Sequence, residues 1–191
     1  MTATCLGFLL LRLSEYQHFR HKTLWAAESA IFLVLILAYA TRPEPVARAK
    51  GAWEVWLPLA VAALPFALLR SPAHPWVLEN EAALTATFLT MTAGTLLTVW
   101  GMRTLGGAFS ITVEARKIVA HGPYRLVRHP IYTGEIITAT AVALWRFSAV
   151  NLAVWALIIA GQLVRAKLEE RKLLESFPEY KEALKKSRWL W

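Results

Sequence analysis

The stretch Ala82-Ala83-Leu84-Thr85-Ala86-Thr87-Phe88-Leu89-Thr90-Met91-Thr92-Ala93-Gly94-Thr95-Leu96-Leu97-Thr98-Val99-Trp100-Gly101-Met102 carries no charged side chain. A helix rises about 1.5 Å per residue and the hydrocarbon core of a bilayer is about 30 Å thick, so a run of this length can cross it. Two comparable runs precede it, Leu24 to Ala40 and Trp53 to Leu69. Two more follow, Ile131 to Trp145 and Ala149 to Val164, separated only by Arg146, Phe147 and Ser148, a spacing that predicts a tight helical hairpin. Hydrocarbon leaves no water to satisfy backbone amides, so each run is expected to be helical. The fold class read from these runs is all-α: an integral membrane bundle of about five transmembrane helices. Met1 to Leu13 is expected to span, to lie on the interface or to pack as a partial helix.

Composition agrees with a bilayer as the solvent. Of 191 residues 57% are hydrophobic and 18% charged, with a mean hydropathy of +0.42, too apolar for a soluble domain of this size. No long linker and no internal repeat divides the chain. Residues 1–102 are read as N-terminal transmembrane helices, and residues 103–191 as a reactive region made of a loop, the hairpin and a C-terminal helix.

Cys5 is the one cysteine, which excludes an intramolecular disulfide and a cysteine-based zinc site, and no metal is expected. All 13 acidic residues are glutamates, so a Ser-His-Asp triad is excluded and any chemistry must use Glu, His, Arg and Tyr. The net charge of +8 sits beside apolar runs, without a zinc finger or an aromatic-basic strand pattern, so membrane topology rather than nucleic acid accounts for it. With five spans, sixteen of the 21 Lys and Arg residues fall on one side, together with the segment Arg103 to His129 and the C-terminus. The positive-inside rule makes that side cytoplasmic.

Two clusters carry chemistry. In Gly122-Pro123-Tyr124-Arg125-Leu126-Val127-Arg128-His129-Pro130-Ile131-Tyr132-Thr133-Gly134, Pro130 suits the first turn of a helix and His129 its N-cap, with free amides beyond that suit a carboxylate or phosphate. The competing reading is a helix start with an interfacial tyrosine and basic anchors. In Arg165-Ala166-Lys167-Leu168-Glu169-Glu170, Arg165 and Glu169 are four apart and share a helix face where the hairpin leaves the membrane. Here the competing reading is a surface ion pair of roughly 0.3–0.5 kcal/mol.

These residues resemble the isoprenylcysteine carboxyl methyltransferase family and the wider group of small membrane methyltransferases that includes phospholipid N-methyltransferases. The match runs through Leu105-Gly106, Phe109-Ser110, the Gly122 to Pro130 stretch with Tyr132 and Gly134, Arg165, Glu169-Glu170, Phe177 and Tyr180. The chain departs from the pattern at Pro178, where glycine is usual, and at Ala183, near where a second tyrosine commonly follows.

The resemblance implies S-adenosyl-L-methionine as cofactor, contacted by His121, Gly122, Pro123, Tyr124, His129, Pro130, Tyr132 and Glu170. It implies Arg165 and Glu169 as catalytic, Arg165 orienting a substrate carboxylate and Glu169 fixing Arg165. The implied acceptor is a prenylcysteine or similar lipid-like carboxylate, and the partners are that acceptor and membrane lipids. Phospholipid or small-thiol methylation on the same scaffold is the nearest alternative. A non-catalytic lipid-binding or scaffold protein is the alternative from another class.

Glu135, one turn past Pro130, is expected to face the cofactor pocket, while Glu28 near a segment end is read as structural. Tryptophans 53, 56, 76, 100, 145, 189 and 191 read as interfacial belts, and Gly94 and Gly101 as points of close helix packing.

Overall fold

The computed structural model of the chain describes residues 2–18 and 21–182. Ala183, Trp189, Trp191 and four of the 21 basic residues counted above, Arg20, Lys185, Lys186 and Arg188, lie outside the described residues. The fold is a helical membrane bundle: α1 (Thr2–Ser14), α2 (Lys22–Ala40), α3 (Gly51–Ala63), the short α4 (Pro75–Glu79), α5 (Glu81–Leu105), α6 (Pro130–Trp145) and α7 (Ala149–Ser176). Four spans are long and apolar enough to cross a bilayer, namely Lys22–Ala40, Gly51–Arg70, Glu81–Ala108 and Ala149–Ser176. α6 has 16 residues, about 24 Å of helix, and is the short fifth member of the bundle.

Local chemistry explains the elements. In the second span Pro58 and Pro65 each withdraw a backbone donor, and the helix tightens into a 3-10 turn over Leu64–Arg70. Asn80 caps α5 by accepting from the Ala83 amide at 3.0 Å, and Ser148 caps α7 by accepting from the Asn151 amide at 3.1 Å. α1 packs on α2 as a partial helix: Trp25 donates its indole N–H to the Arg12 carbonyl at 2.7 Å, Phe8 stacks on Phe32, and Arg12 pairs with Glu28. Glu28 therefore has a structural partner.

The predicted hairpin is present, with α6 and α7 joined by Arg146, Phe147 and Ser148 alone. Its turn is tied to the end of the second span. Arg146 donates to the carbonyls of Leu69 (3.2 Å) and Ser71 (2.5 Å), and the fully buried Asn151 donates to those of Leu68 (3.0 Å) and Arg146 (2.7 Å).

α5 and α6 make the tightest contact in the bundle. The buried residues of α5, Leu84, Met91, Gly94, Thr95, Thr98, Gly101 and Met102, recur at helical spacing and form one stripe. A Cβ on Gly94 would stand 2.7 Å from the Gly134 carbonyl oxygen, and one on Gly134 would overlap the backbone of Gly94 and Thr98. Small residues let the two backbones touch, as association in lipid favours. Tryptophans 53, 56, 76 and 100 are exposed on the outside of the bundle.

Residues 106–129 cross the end of the bundle between α5 and α6. The described residues hold no strand, only an antiparallel bridge between Ala47 and Ala115.

Candidate active site

Pro130 is the first residue of α6 and His129 its N-cap, in a non-helical conformation that aims the backbone into the helix. The buried imidazole of His129 makes no capping bond. It stacks on Tyr132, and its Nε2 lies 3.1 Å from Glu170 Oε1 on α7. Arg128 approaches the same oxygen at 3.7 Å. One carboxylate of α7 thus gathers two groups from the mouth of α6. Glu169, one residue earlier, faces Tyr132, whose hydroxyl donates to it.

A pocket of about 120 Å³ opens at this junction. The N-terminal end of α6 and α7 contribute Arg128, His129, Tyr132, Glu169 and Leu173, with Tyr124 and Tyr180 beside them, and the opposite wall comes from residues 105–120. Burial raises the Tyr124 phenol well above its ordinary value, with Glu169 adding to the effect. Burial first, then Glu170, pushes the Tyr180 phenol up to about 12, so both are neutral hydrogen-bonding groups at physiological pH.

Of the residues marked from the sequence, Tyr124, His129, Tyr132 and Glu169 line this pocket, and Glu170 stands directly behind His129. His121, Gly122, Pro123 and Pro130 do not line it. Gly122 takes φ +59° against Thr104 and Trp100, a left-handed turn open to glycine, and Pro123 is buried; together they set the direction from which Tyr124 enters.

Arg165 differs from the expectation. No ion pair joins it to Glu169. The guanidinium is buried behind the Tyr132 ring, 4.6 Å from its centroid, donating to Gln162 Oε1 at 3.2 Å and to the Ile111 carbonyl at 3.4 Å. Glu135 lies 3.9 Å from it and accepts from Gln162 at 2.5 Å. Glu135 therefore faces Arg165 across the hairpin rather than the pocket. Position i+4 on a helix permits the Arg165–Glu169 pair, but the Tyr132 hydroxyl occupies Glu169 first.

Sequence reasoning missed the wall opposite α6. Glu114 Oε2 accepts from Arg42 (2.7 Å), Arg116 (2.5 Å) and Ser110 (3.2 Å). Burial alone would push the Glu114 carboxyl up, but the Arg116 hydrogen bond and the charges of Arg42 and Arg116 outweigh it and hold the group below the usual carboxylate range. The available signal was that Glu114 is the only acid between Arg103 and His129, among five basic residues.

The fold and the pocket define the class: a helical membrane protein with a pocket of charged, aromatic and apolar side chains at one end of its bundle. The sequence model of the phospholipid methyltransferase family matches residues 82–180, just over half of the chain and all of the pocket-bearing helices. The chain belongs to this family, which is related to the isoprenylcysteine carboxyl methyltransferases, and is a membrane methyltransferase. No curated protein and no solved structure matches it.

Proposed function

We propose that the chain is an S-adenosyl-L-methionine-dependent methyltransferase that O-methylates a prenylcysteine or similar lipid-like carboxylate, working at the cytoplasmic face of its membrane. The observation that carries this reading is the buried guanidinium of Arg165 behind Tyr132. It stacks on Tyr132, which lines the pocket, and faces Gln162 and Glu135 of the hairpin, and its Nε has no hydrogen-bond partner among the described residues.

The pocket's donor set fits the cofactor. Glu169 offers an anion to the sulfonium and ammonium groups, and His129, Arg128 and the first amides of α6 suit the carboxylate. Phe109 and Tyr124 add flat apolar faces for the adenine. S-adenosyl-L-methionine, when bound, supplies an electrophilic methyl group.

The protein's part is to bind, orient and dry the two reactants, so that near-attack geometry does the work. Arg165 holds the acceptor carboxylate in place of Glu135, which lies 3.9 Å from the guanidinium and is held by Gln162. Tyr132 separates that carboxylate from Glu169, which would otherwise repel it. A carboxylate is already ionised near neutral pH, so no base is needed.

A second reading, phospholipid N-methylation, is favoured by the family match. An amine acceptor must lose a proton, for which Glu169 or His129 stands in reach of the pocket. Radiolabelled methyl transfer to a panel of prenylcysteine, phospholipid and thiol acceptors separates the readings, with label expected on prenylcysteine. Calorimetry in detergent should detect S-adenosylhomocysteine, and silence would favour a non-catalytic lipid-binding scaffold.

His129→Ala and Glu170→Ala should each weaken S-adenosylhomocysteine binding by roughly 10- to 100-fold, the range for losing a hydrogen bond to a charged group. Unchanged affinity in a folded variant would remove this pair from the cofactor site. For orientation, reporter fusions should place the C-terminus in the cytoplasm and the Arg146 turn on the opposite side. A shared side for the two would refute the topology.

A further inference from the structure

We infer that Glu114 is a ligand-binding residue of the pocket, offering its Oε1 to the neutral hydroxyl donors of a ribose, with Arg42 and Arg116 as the positioning residues that lock it there. The inference rests on the pocket holding S-adenosyl-L-methionine.

Residues 113–116 follow a bend at 111–112 and carry no helix, and along 112–116 buried and pocket-lining side chains alternate. Val113 and Ala115 are fully buried, and their amides donate to the carbonyls of Glu54 and Ala47, both at 3.0 Å. Thr112, Glu114 and Arg116 then face the other way and line the pocket. A single bridge to the α2–α3 connection fixes the register that turns Glu114 inward.

The carboxylate itself is asymmetric. Arg42, Arg116 and Ser110 all donate to Oε2, while Oε1 accepts no hydrogen bond from the described residues. Oε1 is also not among the buried atoms left without a partner, so the pocket-lining carboxylate keeps it accessible. An ionised carboxylate is an acceptor only, with room for two donors on each oxygen.

Charge decides which donors suit it. Two guanidiniums at 2.5 and 2.7 Å more than neutralise one carboxylate. An ammonium or sulfonium gains little there and is better served by Glu169, which has no guanidinium paired with it among the described residues. A neutral hydroxyl needs only a lone pair to donate to, and Oε1 of the ionised carboxylate provides it. Arg42 is fixed in turn, lying over the Tyr39 ring at 5.0 Å, and Arg116 also donates to the Pro43 carbonyl. Arg42 and Pro43 precede the family-matched region, so the N-terminal half contributes to the site.

The test is calorimetry in detergent with S-adenosylhomocysteine and its 2′-deoxy and 3′-deoxy analogues. Wild type should bind at least one deoxy analogue about 10- to 100-fold more weakly than the parent, the range for a hydrogen bond to a charged acceptor. Glu114→Ala should weaken the parent by the same factor and bind parent and analogue alike. Arg42→Ala should narrow the discrimination. Equal binding of all three ligands by wild type overturns the inference without involving any variant, and so does discrimination that persists in Glu114→Ala. Failure of wild type to bind S-adenosylhomocysteine at all overturns the cofactor reading and this inference together, an outcome distinct from binding without discrimination.

Discussion

Arg165→Lys is expected to lower methyl transfer to a carboxylate acceptor by about 30-fold to several thousand-fold while S-adenosylhomocysteine affinity stays close to wild type. The range corresponds to roughly 2–5 kcal/mol for removing one hydrogen-bonded charge partner. A carboxylate brought from the bilayer surface towards a sulfonium must leave water, and that is tolerable only where a hydrogen-bonded partner replaces its hydration. Lysine keeps the charge but loses the planar fork and the stacking on Tyr132. Because Arg165 sits behind Tyr132 and does not line the pocket, cofactor binding should be spared, and the loss should appear in kcat and in the KM for the acceptor. Glu169→Gln is also expected to lower turnover, by weakening the bond that holds Tyr132 over the guanidinium, and unlike Arg165→Lys it should weaken cofactor binding as well, because Glu169 lines the pocket. Methyl transfer near wild type in Arg165→Lys, or a defect confined to cofactor binding, would sink the carboxylate clamp and move the amine and thiol acceptors ahead.

Gly134→Val should be the most damaging single change to the bundle, although residue 134 touches no part of the pocket. A Cβ there overlaps backbone atoms of Gly94 and Thr98, which cannot swing aside as a flexible side chain can. Overpacking usually costs about 1–3 kcal/mol, and a collision with backbone belongs at or beyond the upper end. If α6 moves away from α5, His129, Pro130 and Tyr132 move with it, because they form its first turn. The variant should therefore lose S-adenosylhomocysteine binding together with thermal stability in detergent. Gly7→Val, at a glycine with nothing within 4 Å of its added carbon, is the matched control and should change neither. A stable Gly134→Val protein with normal binding would show that α5 and α6 do not pack through this contact.

Pro178 illustrates how a departure from a family pattern can be absorbed. α7 ends at Ser176, and Phe177 takes an extended conformation, as the residue before a proline prefers. Tyr180, two residues on, is buried and lines the pocket, so the aromatic contribution of the last segment survives the proline.

The membrane-spanning helices were legible in the sequence because length and apolarity in a bilayer are local properties: a run without charge must satisfy its own backbone and becomes a helix wherever it sits. The hairpin turn at Arg146 to Ser148 and the Pro130 start of α6 were legible for the same reason, since caps and breakers act within a few residues. The partners of Arg165 and Glu114 were not. Helical spacing allowed Glu169 to reach Arg165, yet Tyr132, 37 residues away in the chain, takes that carboxylate, and Gln162 with Glu135 receives the guanidinium. Glu114 meets Arg42, 72 residues earlier, through a segment whose placement depends on the distant Ala47 and Glu54. Sequence by itself determined which segments enter the membrane and where the polar groups cluster, through short-range constraints. Only the tertiary structure decided which charge meets which, because a carboxylate pairs with whatever donor the packing of other helices brings within about 3 Å.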